Sequence, residues 1–314
     1  MNLRRPPAWV QITVRSFQFS YAKCQGSLNL TRLPILRMGR SLSSCFRRDS
    51  SLYLSFSSFV NFFIGMLQKR DVEGSSMELS LSSEIEDDLR KAISQNDIDG
   101  FSRLASPLRW GKPSWSASQL LLQILDDDEE KLRLWATNLS RHVDPYTRRY
   151  ASRILLKLWE KDEDKAGEIL TTLADDEHWL VREDAHDTWG ELLKKDFEQV
   201  FPILQTFSTH SSANMRRCVA IAVRNAGNLR KEEWAEHLIR LLEPIISDKT
   251  VYVRKNVGPY AIGDGLLRCY PDFTLKHLHR WAYRKDEGTL WNVAMAFASY
   301  GGNKNWRKGM KILA

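Results

Sequence analysis

A short arginine-containing segment recurs along the second half of the chain and limits the possible folds more than any other feature. Its copies are residues 147–151 (TRRYA), 181–185 (VREDA), 215–219 (MRRCV) and 253–257 (VRKNV). Their first arginines lie 34, 34 and 38 residues apart and are Arg148, Arg182, Arg216 and Arg254. Leu290-Trp291 follows as a degenerate fifth copy. A period of this length is typical of two-helix repeats.

Apolar residues recur at helical spacing from Met77 to the end of the chain, as at Phe197, Val200 and Leu204. No stretch alternates apolar and polar residues in the way that a half-buried strand does, so we expect an all-α fold. One helical hairpin cannot bury its apolar stripe alone. We therefore expect stacked hairpins that form an α-solenoid with one concave face.

The chain divides by composition into three parts. Residues 1–76 are a separate leader, residues 77–116 are predicted to form an N-terminal helical cap and linker, and residues 117–314 are predicted to form the repeat solenoid. The clearest helix of the cap is 84–94, and Pro107 and Pro113 are interpreted as marking the linker. The final segment, 306–314, is predicted to be the opening helix of a further hairpin.

The leader is rich in Ser, Arg and Phe, poor in acids and without helical or strand periodicity. Three interpretations remain open: translation assigned from a start codon too far upstream of Met77, a transit or disordered leader, and a membrane anchor. The apolar run 52–67 is the only candidate for an anchor in the leader, and it is short for a membrane span and contains several serines.

The formal net charge of +7 is unevenly distributed. It amounts to +8 in residues 1–76, −10 in 77–213 and +9 in 214–314. Only the C-terminal part of the repeat region can therefore attract a polyanion by simple charge. We expect no membrane contact for residues 77–314.

Ordinary cofactor and metal chemistry has no support in the sequence. The four cysteines are far apart, which excludes a zinc framework and indicates a reducing, cytoplasmic location. No phosphate-binding loop, dinucleotide fingerprint or nucleophile elbow is present. His277 and His279 point to different sides of a helix. We therefore expect no cofactor and no metal.

The repeat contains further constant positions. An aspartate stands six residues before the arginine in two copies, Asp176 and Asp248, and His210 stands there in a third. We expect this aspartate to cap its helix and the first arginine to pair with an aspartate of its own or an adjacent loop. The second basic residue points elsewhere, because consecutive helix residues cannot share one face. We expect it to contact phosphates, and these residues are Arg149, Arg217 and Lys255.

Tryptophan is frequent, with eleven in the chain. Large aromatic side chains fill the gaps between helices well, so we expect most of them to serve packing. A minority could stack on nucleic-acid bases.

From Asp144 to the end, the sequence resembles the bacterial DNA alkylation repair family of HEAT-like glycosylases, and within it the AlkC branch most closely. The matching stretches are 214–219, Trp234-Ala235, 248–257, 270–281, Gly288-Thr289 and Trp291. The resemblance implies a solenoid that binds duplex DNA on a basic face and excises cationic N-alkylated purines such as 3-methyladenine. The DNA-binding residues predicted from the repeat and the resemblance are Arg149, Arg182, Arg216, Arg217, Arg254, Lys255 and Trp234.

The match departs from the family at the acids. Where the branch has carboxylates, this chain has His186 and Ile221, so the catalytic residue is left open. The nearby acids Glu183, Asp184 and Asp187 are the candidates. The alternative function is a non-catalytic HEAT-repeat scaffold with a protein partner instead of DNA.

Overall fold

The computed structural model describes residues 81–109 and 111–313 and is all-α, as predicted. Within these ranges it contains fourteen α-helices and no strand. The helices are α1 Ser83–Ser94, α2 Ile98–Ala105, α3 Gly111–Leu125, α4 Glu129–Ser140, α5 Pro145–Leu158, α6 Glu163–Ala174, α7 Trp179–Lys195, α8 Phe197–Ser208, α9 Ala213–Gly227, α10 Ala235–Leu242, α11 Val251–Asn256, α12 Pro271–Ala282, α13 Glu287–Ala298 and α14 Trp306–Leu313.

The repeat predicted from the arginine period is present as five two-helix units. The first helices of the units are α5, α7, α9, α11 and α13, and each is followed by a second helix. Helix α14, predicted to open a further hairpin, is instead the second helix of the fifth unit and packs against α13. Helices α5, α7, α9 and α11 contact one another in sequence order, so they form a layer. The second helices pack against this layer and bury the apolar stripe that a single hairpin would leave exposed.

Short acidic and hydroxyl side chains begin most of the helices. Asp128, at the end of the acidic run 126–130, accepts a hydrogen bond from the backbone N–H of Lys131 at 3.1 Å and caps α4. Asp144 and Asp162 cap α5 and α6 in the same way. These caps satisfy backbone donors that have no partner inside the helix, which fixes where each helix starts.

Tryptophans fill the core between the layers, as expected for most of them. Trp135, Trp189 and Trp281 are fully buried. Trp189 packs edge-to-face against Trp159 and Phe207, with ring centroids 5.8 and 5.4 Å away. Such rings bury large apolar areas and stabilise contacts between neighbouring units.

The N-terminal part of the described chain differs in detail from the sequence prediction. Helix α1 matches the predicted helix 84–94, but Pro113 lies in the first turn of α3, where proline is tolerated. The predicted boundary at 116/117 therefore falls inside a helix. The leader and its apolar run lie outside the described residues. Among the residues that are described, no helix is both long and apolar enough to span a bilayer.

The helix after α11 is wide. Residues 257–267, which include Gly258 and Pro259, form a π-helix, Val257–Leu267, that directly continues α11. Gly258 lies against Asn292 of α13 so closely that a Cβ would be 2.8 Å from the Asn292 Cα atom. The side chain of Asn292 accepts a hydrogen bond from the Gly258 N–H at 2.9 Å. Glycine is therefore required here by close packing of two helices.

Candidate nucleic-acid interface

The first arginine of two units joins its own loop to the next unit. Arg148 donates two hydrogen bonds of 2.8 Å to Asp176 and two more to the carbonyl groups of His142 and Val143. Arg216 repeats the arrangement with Asp248, at 2.6 Å. The structural role expected for the first arginine is therefore confirmed in these two units. Arg216, which the sequence predicted to bind DNA, forms an ion pair that joins two units.

The aspartate of this ion pair does not cap the helix that follows it, contrary to the prediction. Asp176 accepts a hydrogen bond from the backbone N–H of His178, at 2.7 Å, but His178 is itself the residue that precedes α7. The spacing of six residues puts the carboxylate two positions too early for an N-cap. Its partner is instead the arginine of the preceding unit.

Arg182 lacks such an acid because His210 stands at the equivalent position. Its Nη1 donates to the carbonyl groups of Asp176 and Glu177, at 2.6 and 2.9 Å. Its Nε donates to the hydroxyl group of Tyr252 at 3.3 Å, across the intervening helix α9. Arg182 is partly exposed and, among the residues described, forms no ion pair.

Two of the three second basic residues are paired with acids. Arg149 donates to Asp184 at 2.5 Å, and Arg217 donates to Glu183 at 2.6 Å. Their side chains are 17% and 9% exposed and paired with carboxylates, and their contact with phosphates stays a prediction from the sequence. Lys255 is partly exposed and has no hydrogen bond or ion pair within the described ranges.

The remaining predicted DNA contacts involve aromatic rings. The guanidinium of Arg254 lies over Trp291, 5.1 Å from the ring centroid. Trp234 is only 8% exposed, stacked on Phe197 at 4.4 Å and covered by the ammonium group of Lys231 at 4.1 Å. A base has no access to a ring packed in this way, and this packing argues against the predicted base-stacking role of Trp234.

Helix α7 contributes a carboxylate cluster, which we define as Glu183, Asp184 and Asp187. The side chain of Glu183 is 40% exposed. Burial raises the pKa of Asp184 despite its bond to Arg149, and burial also raises the pKa of Asp187, whose side chain still reaches solvent. His186 and Ile221 are buried, so a carboxylate at either position would point into the core. The exposed acids next to these positions on α7 are therefore Glu183 and Asp187.

His186 supports the cluster from the core. Burial, together with the charge of Arg217, lowers the pKa of His186 to about 3. The neutral ring donates from Nε2 to the carbonyl group of Ala174 at 2.9 Å and accepts at Nδ1 from Arg217 at 2.8 Å. This bond and the Glu183 carboxylate together fix the Arg217 guanidinium in one orientation.

Two aromatic residues complete the surface around Glu183. Trp179 is 54% exposed and lies one helical turn before Glu183 on the same side of α7. The ring of Tyr252 covers Arg217, with 5.0 Å between the guanidinium carbon and the ring centroid. The sequence assigned neither residue a role beside Glu183, although the four-residue spacing from Trp179 to Glu183 was a signal that the tryptophan shares a face with an acid.

No metal centre is present among the described residues, where no group of three His, Cys, Asp or Glu side chains converges. His277 is half-buried against Trp281 and does not meet His279. The arrangement around Glu183 thus offers a fixed carboxylate, a guanidinium and two aromatic rings for chemistry or binding.

Three solved structures resemble this fold. AlkD2 from Streptococcus mutans has a TM-score of 0.54 and 21% identity, covering 65% of this chain and 97% of that one. The protein smu.31 from the same organism has a TM-score of 0.50 and 19% identity, covering 66% and 97%. The alkylpurine DNA glycosylase AlkC from Pseudomonas fluorescens, bound to DNA with an abasic site analogue, has a TM-score of 0.46 and 14% identity, covering 74% and 66%.

The fold is a HEAT-like helical repeat. No protein-family model and no curated protein sequence matches the chain significantly. At these identities the structural likeness establishes the fold alone. Membership of the repair family and of its AlkC branch therefore stays a prediction from the sequence.

Proposed function

We propose that this protein belongs to the DNA alkylation repair family, binds duplex DNA and excises cationic N-alkylated purines of the 3-methyladenine type. The observation that carries the proposal is the Glu183 carboxylate, held by Arg217 at 2.6 Å beside the exposed Trp179. The stretches 214–219 and 248–257 that resemble AlkC support it.

The chemistry needs few groups, because an alkylated cationic purine is already a good leaving group. As the glycosidic bond breaks, positive charge develops on the sugar, and a fixed carboxylate stabilises that charge better than water does. An exposed indole ring attracts a cationic base through its negative face. Glu183 and Trp179 supply these two interactions from one helix.

Glu183 is favoured over the other two acids of the carboxylate cluster. The side chain of Asp184 is 23% exposed, against 40% for Glu183, and burial raises the pKa of Asp184. Asp187 accepts a hydrogen bond from the side chain of Asn225 at 3.1 Å and lies two turns from Trp179. Only Glu183 is one turn from the exposed ring and held by a cation whose orientation is fixed.

The basic part of the chain supplies the attraction to DNA. Residues 214–314 have a net charge of +9, and Lys255 has no acidic partner among the described residues. Contacts to phosphates release counterions, so affinity should fall steeply with salt. Duplex DNA is therefore the proposed partner, with no cofactor.

The alternative is a scaffold that binds another protein. The net charge of −10 over residues 77–213 favours it, because this part of the surface repels DNA at long range. A scaffold would show no steep salt dependence of DNA binding and no base release.

The decisive experiment incubates the protein with methylated duplex DNA and measures free 3-methyladenine and 7-methylguanine. We expect release by the wild type and a loss of at least about 100-fold in Glu183→Gln, because a developing charge would lose its counter-charge. Glu168→Gln, an exposed acid of α6, is the matched control and should retain full activity. DNA binding without release by the wild type would leave a binding module and refute the glycosylase.

A further inference from the structure

Arg224 lies on the same helix as Arg217, two turns further along α9. The two are seven residues apart, so their side chains leave the same side of the helix. Arg224 is partly exposed, whereas Arg217 is almost fully buried. Neither the repeat pattern nor the resemblance assigns a role to Arg224.

The guanidinium of Arg224 lies over an aromatic ring. Its central carbon lies 4.9 Å from the ring centroid of Tyr260, which the π-helix Val257–Leu267 presents to α9. The two helices approach closely because Gly265 faces Arg224: a Cβ there would be 3.1 Å from the Arg224 Cα atom. The wide helix thus restricts the orientation of the guanidinium before any ligand arrives.

Arg224 has no carboxylate partner among the described residues, in contrast to Arg148, Arg149, Arg216 and Arg217. A guanidinium carries five N–H donors, and the structure shows one of them in use, from Nη1 to Asn225 Oδ1 at 3.2 Å. The Nε atom is buried without an acceptor. An ordered cation with unused donors is poised to bind an anion.

The side chain of Asn225 lies between Arg224 and Asp187 and forms a hydrogen bond with each. Its Oδ1 atom faces Arg224, while its Nδ2 atom donates to Asp187 at 3.1 Å. Gly190 makes the arrangement possible, since a Cβ there would be 2.7 Å from Asn225 Nδ2. Asp187 therefore receives a hydrogen bond from the Asn225 amide and is not paired with Arg224.

We infer that Arg224, placed over the ring of Tyr260 and hydrogen-bonded to Asn225, binds a backbone phosphate of nucleic acid. The inference rests on the proposed DNA binding and adds a phosphate site beside the carboxylate cluster. The planar fork of the arginine suits a phosphodiester because it can donate two parallel hydrogen bonds to one group.

The test measures the affinity of the full chain for a duplex oligonucleotide by fluorescence anisotropy between 50 and 200 mM salt, a range of about fourfold. Losing one phosphate contact reduces the slope of log affinity against log salt by about 0.9, and at 0.1 M salt weakens binding about eightfold. We expect this result for Arg224→Gln. Arg224→Lys keeps the charge and should keep the slope, with about two- to threefold weaker binding because the planar fork is lost.

Arg240→Gln is the matched control, because Arg240 is exposed on the second helix α10 and carries the same charge. Its slope should equal that of the wild type. If the wild type binds DNA and Arg224→Gln keeps its slope, the inference is wrong and DNA binding stands. If the wild type shows no salt-dependent binding, both proposals are wrong. Should Arg224→Gln not fold, binding by Arg224→Lys as tight as that of the wild type would refute the inference.

Discussion

The imidazole of His186 accepts a hydrogen bond from Arg217 at 2.8 Å inside the helix layer. This contact joins His186 in the core of the second repeat unit to Arg217 of the third unit, and Arg217 in turn holds Glu183 on the same helix as His186. A neutral histidine can accept this bond, whereas a protonated one cannot. The arrangement around Glu183 therefore depends on the protonation state of a buried group.

This dependence predicts loss of stability in mild acid. The unfolded chain protonates His186 near pH 6.5, while the folded protein keeps it neutral down to about pH 3. The unfolded state therefore binds more protons between these values, and its stabilisation reduces the free energy of unfolding by up to about 1.4 kcal/mol per pH unit as the pH falls. Urea unfolding at pH 7 and pH 5 measures this.

His186→Gln is the control for this effect, since an amide can make both hydrogen bonds without titrating. The difference in unfolding free energy between wild type and variant should shrink as the pH falls. The raised pKa values of Asp184 and Asp187 act in the opposite direction, but they are present in both proteins and cancel. A constant difference from pH 7 to pH 5 would contradict the prediction.

The ion pairs between units predict that substituting equivalent arginines will reduce the free energy of unfolding by different amounts. Arg148→Met leaves Asp176, only 11% exposed, without its cation and should cost about 3 kcal/mol. Arg182→Met removes an arginine without an acidic partner and should cost about 1 kcal/mol. Urea unfolding of both variants measures the two free-energy changes. Equal changes would show that the Arg148–Asp176 ion pair does not contribute to the contact between the units.

Trp179 should matter for base release but not for folding. Its indole is 54% exposed, so Trp179→Ala should leave the melting temperature unchanged. Release of 3-methyladenine should fall about tenfold, because a contact with a cationic base worth about 1.4 kcal/mol is lost. Trp115→Ala removes an indole of similar exposure, 59%, on α3 and should release the base at the wild-type rate.

Two glycine substitutions should change stability in opposite directions. Gly258→Ala pushes a methyl group against the backbone of Asn292 and should cost about 1–3 kcal/mol. Gly167→Ala places its methyl group 3.5 Å from the Trp159 ring, an ordinary contact inside α6, and should gain about 0.5–1 kcal/mol. Thermal unfolding measures both. A neutral Gly258→Ala would mean that α13 and the π-helix can move apart.

The repeat architecture could be predicted because two local signals agree. Apolar residues at helical spacing indicate helices, and the 34–38-residue period of the arginines indicates pairs of them. The pairing of Arg148 with Asp176 followed from the same logic. The π-helix at 257–267 could not be predicted. Glycine and proline indicate that a regular α-helix is interrupted, but they do not indicate which hydrogen-bond pattern takes its place.

The pairing of the second basic residues was missed because it joins neighbouring units. Arg149 meets Asp184 at a separation of 35 residues, and Arg217 meets Glu183 at a separation of 34. These separations lie within one residue of the 34-residue spacing between these units, so each arginine lies beside the corresponding turn of a neighbouring unit. Arg149 pairs with the unit that follows it, and Arg217 pairs with the unit that precedes it. A search for opposite charges one period apart would have found both pairs. The burial of Trp234 depends on packing against Phe197, which no local pattern shows.

The hydrogen bond from Arg182 to Tyr252 has a consequence for how the molecule unfolds. Most contacts of a helical repeat join adjacent units, so such proteins can lose their units one at a time. This bond and the contact of Tyr252 with Arg217 instead join the second, third and fourth units. We therefore expect the second to fourth units to open as one cooperative block while the ends of the repeat fray independently, which native-state hydrogen exchange would measure.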